Sequence, residues 1–294
     1  MGFCLRQSLL VIVAAAVVAC GERSAVVTGE VVDDLGRRVT LSAPARRVVS
    51  LSPAITELLF AIGAGDLVVG RTQFDKYPPG VADIADVGDG LDPNIERVVA
   101  RRPDLVALYA SNANEQAMRR LTDMGIATVS IRLDSLTSVA RGARMLGRLT
   151  GTALRADSVA RAFEAERDSA LRVPPPASTP RVLILAWDNP PIIIGARSFL
   201  SELVQLAGGE NVFDDVNAPS ATVAVETIVE RNPDAIVFFA EDAPTFAQRP
   251  EWQTIPAVRG RRFVFLEGSE FEYPSPRAFR ALERLRAGLA EVVR

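Results

Sequence analysis

The sequence contains no histidine, and its two cysteines, Cys4 and Cys20, both lie among the first 20 residues. Histidine is the commonest general base in enzymes and the commonest protein ligand of transition metals. Its absence therefore excludes Ser-His-Asp and Cys-His mechanisms and argues against a zinc or manganese site. The sequence also lacks a Gly-x-Ser-x-Gly elbow and a P-loop. We predict no catalytic residue, no resident cofactor and no bound metal.

Positive charge is not in excess either, since the net charge is −3 at pH 7. Proteins that bind nucleic acids present a basic surface, so we do not expect a nucleic acid as a partner. Hydrophobic residues make up 48% of the 294 residues. This content is ample for packed cores, and the length allows two domains of ordinary size.

The amino terminus has the pattern of a targeting segment. One positive charge, Arg6, precedes an apolar run over residues 9–19, which is too short to span a bilayer comfortably. Small residues before Cys20 resemble the bacterial lipobox, in which the cysteine is diacylated. We therefore predict a signal peptide over residues 1–19, lipidation of Cys20, a tether over residues 20–30 and a membrane-anchored location outside the cytoplasm. A cleaved signal followed by an incidental cysteine is the alternative.

The rest of the chain alternates between short apolar runs and helical patterns, which predicts an α/β fold with mostly parallel sheets. Residues 31–150 and 174–294 form two such stretches. Between them, residues 152–172 contain no glycine or proline and carry an apolar side at helical spacing, which includes Leu154, Val159 and Phe163. We expect this segment, assigned as residues 151–173, to be a long helix that joins two lobes.

Two matches support an internal duplication on either side of the long helix. The run ERVVARRPDLV (96–106) matches ETIVERNPDAI (226–236). In addition, a Glu-Leu pair precedes a glycine at the same spacing in both halves, Glu57-Leu58 before Gly63 and Glu202-Leu203 before Gly208. Two similar lobes imply a cleft between them, and ligands bind in clefts at domain boundaries and outside the strand ends of open α/β sheets. An exported two-lobed protein without histidine is more typical of ligand capture than of catalysis.

The sequence also resembles a known family, the iron-siderophore and cobalamin class of periplasmic binding proteins. The resemblance covers about residues 31–294 and rests on RVVSLSPAITELLFAIGAGDLVVGRTQFDKYPP (47–79), IERVVARRPDLV (95–106) and SFLSELVQLAGGENVF (198–213). The segments WDNPPIIIG (187–195) and Ser275-Pro276-Arg277 are most similar to the cobalamin-binding branch. The resemblance implies two Rossmann-like lobes joined by one rigid helix, and delivery of a corrinoid or iron chelate to an ABC permease dimer with its ATPase.

The family docks on permease arginines through one surface glutamate per lobe. The resemblance assigns this role to Glu57 and Glu202, which occupy matching positions in the duplicated halves. Both are otherwise ordinary solvated helix glutamates.

The resemblance also implies a set of ligand-binding residues, and loop or strand packing is the alternative role for its aromatic members. Asp89 and Tyr109 stand where the cobalamin branch has tryptophan, as do residues 220–221, and Tyr273 stands where that branch has arginine. The expected ligand remains bulky, with cobalamin as the first expectation. The residues assigned to the site are Phe74, Tyr77, Asp89, Tyr109, Trp187, Asn189, Tyr273 and Arg277.

Other readings remain open. A ferric siderophore is anionic and would use Arg71, Lys76 or Arg277, whereas heme would use Tyr77, Tyr109 or Tyr273 as an axial ligand. A surface hydrolase or an envelope protein without a transport role would be built on the same scaffold. We expect the chain to act as a monomer.

Overall fold

The computed structural model describes residues 29–174, 176, 178–239 and 244–292. The predicted signal peptide and Cys20 lie outside these residues. The first half opens with an antiparallel hairpin and continues as a four-stranded parallel sheet in the order β4-β3-β5-β6. Its elements are β1 (Gly29–Val32), β2 (Arg38–Leu41), β3 (Val48–Leu51), α1 (Pro53–Ala61), β4 (Val68–Gly70), α2 (Ile95–Ala100), β5 (Leu105–Tyr109), α3 (Glu115–Asp123), β6 (Ala127–Ile131) and α4 (Leu136–Thr150).

A long helix, α5 (Ala153–Leu171), leads into the second half. There β7, β11 and β12 are parallel, β8 and β10 extend the sheet antiparallel, and β9 pairs with β7. The elements of this half are β7 (Arg181–Asp188), β8 (Pro191–Ile194), α6 (Phe199–Leu206), β9 (Glu210–Asn211), β10 (Ser220–Thr222), α7 (Val225–Arg231), β11 (Ala235–Phe238), α8 (Pro256–Arg259), β12 (Phe263–Phe265) and α9 (Ala278–Val292). The predicted fold, two α/β lobes with mostly parallel sheets joined by one long helix, is confirmed.

The central strands show why the chain folds in this way. All four residues of β3 are buried, as expected for a strand covered by helices on both faces of a parallel sheet. The chain turns directly from β3 into α1, which begins with Pro53 at a position where the missing N–H costs nothing. Gly63, with φ at +77°, ends the turn after α1 in the left-handed region that glycine adopts freely.

The long helix α5 buries one stripe, made of Ala156, Ala160, Phe163 and Ala170. Leu154 was expected on this apolar side, and that expectation is wrong because its side chain is 91% exposed. Two residues correspond to about 200° around a helix, so Leu154 lies almost opposite Ala156. The helix is also not a free-standing connection, since a Cβ on Gly147 of α4 would lie only 2.3 Å from the Cβ of Ala156.

One apolar core continues from the first lobe into the second. It includes Leu58 of α1, Leu146 of α4, Phe163 of α5, Leu203 of α6 and Leu282 of α9. The rings of Phe163 and Phe279, at the start of α9, lie 4.8 Å apart between centroids. The lobes therefore share buried surface along α5 in addition to the covalent connection.

Candidate functional site

The loops that follow the parallel strands of the two sheets meet at the boundary between the lobes, which we call the lobe seam. The loop after β4 contributes Lys76, whose Nζ lies 3.0 Å from Oε1 of Glu272 in the loop after β12. In the same region the guanidinium of Arg277 lies over the ring of Tyr77, 4.0 Å from its centroid. Ligands of open α/β sheets bind outside the carboxyl ends of the strands, so the candidate site is the cleft bordered by these loops.

A groove beside the long helix lies elsewhere. It has a volume of about 780 Å³, runs between α5 and α9, and is lined by residues that include Ala170, Phe279 and Arg280. None of the predicted ligand-binding residues lines it. We place the candidate site by the strand ends, because this groove is lined mainly by residues of the helices α5 and α9.

Two of the predicted aromatic side chains are open to solvent. Phe74 is 50% exposed and Trp187 is 58% exposed, one in each lobe. The indole Nε1 of Trp187 donates a hydrogen bond of 2.9 Å to the carbonyl of Asn189, itself an exposed residue. Large apolar side chains at this exposure offer contact surface for a ligand.

Leu91 is a third exposed apolar side chain that the sequence reasoning missed, at 58% exposure. Its position follows from Gly90, where a Cβ would lie 2.3 Å from the carbonyl oxygen of Leu51 at the end of β3. The glycine brings the loop against the strand end, and Leu91 follows it. The sequence does contain a signal for this exposed position, since Leu91 is an isolated leucine between Gly90 and Asp92, and glycine and aspartate are typical of turns.

Two polar residues of the first lobe that were predicted to bind ligand, Tyr109 and Asp89, form hydrogen bonds with neighbouring residues. The hydroxyl of Tyr109 donates a hydrogen bond of 2.6 Å to Oδ1 of Asp134, and burial together with this bond raises the pKa of Tyr109 to about 12. Oδ1 of Asp89 accepts a hydrogen bond of 2.7 Å from the backbone N–H of Leu91. Asp89 therefore shapes the turn that presents Leu91.

The expectation that Glu57 is a surface glutamate is wrong, since it is only 3% exposed. Its Oε2 accepts a hydrogen bond of 2.9 Å from Nε of Arg277, and its Oε1 accepts one of 2.8 Å from the hydroxyl of Tyr273. Both partners belong to the second lobe. Burial and the Glu57 carboxylate raise the pKa of Tyr273. Glu57, Tyr273 and Arg277 are thus joined in one buried network across the lobe seam.

Arg277 is held by further contacts within its own lobe. Its Nη1 lies 3.0 Å from Oε2 of Glu270, and its Nη2 donates a hydrogen bond of 2.9 Å to Oγ of Ser269. Arg284 binds the other oxygen of Glu270 at 2.6 Å. The side chain of Arg277 is consequently only 13% exposed. Arg277 was predicted to bind ligand, and the structure places it beneath Tyr77 with its Nε and both Nη atoms hydrogen-bonded to protein.

Glu202 makes the reciprocal contact across the lobe seam. It is half-buried on α6, and its Oε2 accepts a hydrogen bond of 3.0 Å from the backbone N–H of Leu136, the first residue of α4. Burial raises the pKa of this carboxyl. Each glutamate of the duplicated Glu-Leu pair therefore reaches the start of the last helix of the opposite lobe, where the helix dipole favours a carboxylate.

The other duplicated segment, residues 96–106 and 226–236, begins in each lobe with a glutamate that is exposed, unlike Glu57. Glu96 and Glu226 lie in the first turns of α2 and α7, and both are exposed. Each helix leads directly into a parallel strand, β5 or β11, so its first turn lies near the carboxyl end of that strand and hence near the cleft. Neither glutamate forms an ion pair with any other residue that the structure describes.

The three cationic side chains considered for an anionic ligand all form hydrogen bonds or ion pairs with other protein groups. The guanidinium of Arg71 donates to the carbonyls of Thr72, Val81 and Ala82. Lys76 is paired with Glu272, and Arg277 is held between Glu57 and Glu270. Within the described ranges no cluster of three or more histidine, cysteine, aspartate or glutamate residues is arranged to hold a metal ion. No helix among the same residues has the length and apolarity needed to cross a membrane.

Comparisons with known proteins give the family. The profile of the periplasmic binding protein family matches residues 48–269. The uncharacterized ABC transporter substrate-binding lipoprotein YvrC of Bacillus subtilis (strain 168) is 28% identical over 263 residues, which cover 86% of this chain and 83% of that relative. The vitamin B12-binding protein of Salmonella paratyphi A (strain ATCC 9150 / SARB42) is 30% identical over 249 residues, which cover 84% of this chain and 91% of that relative.

A solved structure shares the fold. The periplasmic heme-binding protein RhuT from Roseiflexus sp. RS-1, in apo form, superposes with a TM-score of 0.75 over 85% of this chain and 100% of that chain, at 23% identity. At this identity the likeness concerns the fold and not the ligand. With the profile match across most of its length, the chain belongs to the periplasmic binding protein family.

Proposed function

We propose that this protein is the substrate-binding component of an ABC importer and that its ligand is a corrinoid, with cobalamin as the first candidate. The observation that carries the ligand assignment is the character of the cleft. Phe74, Leu91 and Trp187 expose apolar surface, whereas the three cations considered for an anionic ligand, Arg71, Lys76 and Arg277, are bound to carboxylates or carbonyls. The 30% identity to a vitamin B12-binding protein supports the same assignment.

The engaged cations argue against a ferric siderophore. Such a ligand is anionic, and recognition of its charge needs free arginine or lysine side chains. Arg71 donates to backbone carbonyls, Lys76 pairs with Glu272, and Arg277 is enclosed. An anionic chelate recognised by these three side chains would have to displace their partners, whereas a neutral corrinoid would not.

The tyrosines argue against heme. A tyrosine that ligates ferric heme must lose its proton. The hydroxyls of Tyr109 and Tyr273 donate to carboxylates, and the pKa of each is raised, that of Tyr109 to about 12. This leaves Tyr77, whose ring lies against Arg277, as the remaining candidate of the three.

Fluorescence titration tests the ligand assignment. Trp187 and Trp252 are the only tryptophans, and Trp252 is completely buried, so a ligand in the cleft should act on Trp187. We expect saturable quenching by cyanocobalamin at micromolar concentration and loss of most of that signal in Trp187→Phe. Heme and a ferric catecholate serve as the comparison ligands. If one of these binds tightly and cyanocobalamin does not, the corrinoid assignment is wrong.

The permease contact is proposed at a different pair from the one expected from the sequence. The family's docking glutamates must be accessible, and Glu57 is buried. Glu96 and Glu226 are exposed, lie one in each lobe, and occupy equivalent helices at the cleft side of the molecule. We propose these two as the docking pair. Electrostatic steering by such rim charges orients a complex more than it adds affinity.

Membrane attachment through Cys20 remains a proposal. It is supported by the small residues before Cys20 and by the similarity to a lipoprotein of Bacillus subtilis. Replacing Cys20→Ser is expected to move the protein from the membrane fraction to the soluble extract of cells that express the full chain. Cys4→Ser is the matched control and should leave the distribution unchanged. If the Cys20→Ser protein stays in the membrane fraction, the lipid anchor is not at this cysteine.

A further inference from the structure

Arg277 is an unusual residue for the wall of a cleft, because its charge is hidden from that cleft. Its guanidinium has three protein partners, Glu57, Glu270 and Ser269, and its side chain is 13% exposed. The ring of the half-buried Tyr77 covers it at 4.0 Å. The surface presented here is therefore the edge and face of a tyrosine, with the cation behind it.

The charges within this network cancel. Glu57 and Glu270 supply two negative charges, and Arg277 and Arg284 supply two positive ones. Glu270 is shared between both arginines, so it cannot neutralise Arg277 alone. Removal of the charge on Glu57 would leave one net positive charge behind Tyr77.

We propose that Glu57 is a specificity-determining residue that sets the charge class of the ligand. By binding Arg277 across the lobe seam, it withdraws a guanidinium that would otherwise favour a carboxylate or another anionic group, and the cleft accepts a bulky neutral ligand. This inference rests on the proposed function, in that it assumes a chelate or corrinoid in the cleft. It assigns to Glu57 a role that is neither permease docking nor direct ligand contact.

The duplicated half provides a natural comparison. Glu202 occupies the equivalent position, but its partner is the backbone N–H of Leu136 and not a guanidinium. Arg167 lies near enough to act electrostatically on Glu202, but its ion pair is with Asp168, so loss of the charge on Glu202 breaks no ion pair with a guanidinium. A neutral glutamine at Glu57 should change ligand selectivity, and a neutral glutamine at Glu202 should not.

The test uses Glu57→Gln and, as its control, Glu202→Gln, each in the full chain. Glutamine keeps an acceptor for the hydroxyl of Tyr273, so we expect the variant to fold. The affinities for cyanocobalamin, which is neutral, and for heme, which carries two propionates, are measured by titration. We expect Glu57→Gln to raise the ratio of heme to cobalamin affinity about fivefold, the effect of one unit charge near the ligand in a partly hydrated site. An unchanged ratio in a folded Glu57→Gln protein would overturn the proposal.

A second measurement does not depend on the ligand. Iodide and neutral acrylamide both quench exposed tryptophan, and only iodide responds to local charge. We expect the ratio of iodide to acrylamide quenching of Trp187 to rise about twofold in Glu57→Gln, since positive charge concentrates an anion nearby. If the wild-type protein binds none of the ligands, the proposed function fails, and this ratio still decides the role of Glu57: a rise supports it and no change refutes it.

A variant that leaves the ion pair intact covers the case in which Glu57→Gln does not fold. Tyr77→Ala uncovers the guanidinium of Arg277 without removing either carboxylate. The same rise in the iodide-to-acrylamide ratio is expected. Quenching that is identical to wild type would show that Arg277 has no influence on the cleft.

Discussion

Replacement of Arg277→Ala is expected to lower the free energy of unfolding by about 3–5 kcal/mol, the usual cost of removing one partner from a buried ion pair. Glu57 is buried against Arg277 and Tyr273, and after the substitution its carboxylate would keep only the tyrosine hydroxyl. Glu270 would also lose one of its two arginines. The change should appear as a lower midpoint in urea denaturation, followed by circular dichroism.

Arg280→Ala is the matched control, because Arg280 lies three residues after Arg277 in the first turn of α9, is exposed and forms no ion pair with the described residues. Its denaturation midpoint should stay close to that of the wild type. The double variant Glu57→Met, Arg277→Met removes both charges together and should recover much of the stability lost in Arg277→Ala. Wild-type stability in Arg277→Ala would mean that the network across the lobe seam contributes little to folding.

The charge-reversed protein Glu96→Arg, Glu226→Arg is expected to lose ligand uptake by about tenfold or more while its ligand affinity stays unchanged. Both side chains are exposed, and neither is one of the apolar residues assigned to the cleft, so the cleft should be intact. If the proposed docking pair is correct, arginine at either position would face the permease arginines that the family resemblance implies, and like charges brought together suppress association. Uptake in whole cells and titration of the purified protein give the two measurements.

Glu166→Arg serves as the control for this experiment, since Glu166 is an exposed glutamate on α5. It should support normal uptake. The alternative docking pair is tested with Glu57→Ala, Glu202→Ala. If that protein is folded and binds ligand but is not transported, while the Glu96 and Glu226 variant is transported normally, docking uses the originally expected residues.

The fold could be predicted from the sequence because the residues that determine its helices and turns lie within or next to those elements. Proline after Ser52, glycine after α1, and a glycine-free run over residues 152–172 each determine an element through backbone chemistry alone. The exception within α5 was Leu154, whose apolar character did not decide its exposure. Its angular position on the helix decided it.

The site was harder to predict because its contacts are distant in sequence. Glu57 and Arg277 are separated by 220 positions, and nothing in the residues around either one specifies the other. The helical pattern of α1 identifies the face that packs on its own sheet. It cannot show that the second lobe covers the face that carries Glu57. The sequence shows Glu96 and Glu226 as equivalent positions of the internal repeat. Only the structure, in which the second lobe buries Glu57, shows that these two glutamates are exposed and Glu57 is not.

Lys76 is the single lysine of the chain, and the structure places it at the lobe seam opposite Glu272. Apart from the amino terminus, the molecule therefore carries one primary amine. A dye or spin label that reacts with amines would attach at the junction of the two lobes in the unmodified sequence. A lysine-specific protease would likewise have one cleavage site, in the loop that borders the cleft. Ordinary laboratory reagents can thus report on the movement of the lobes without any engineered cysteine.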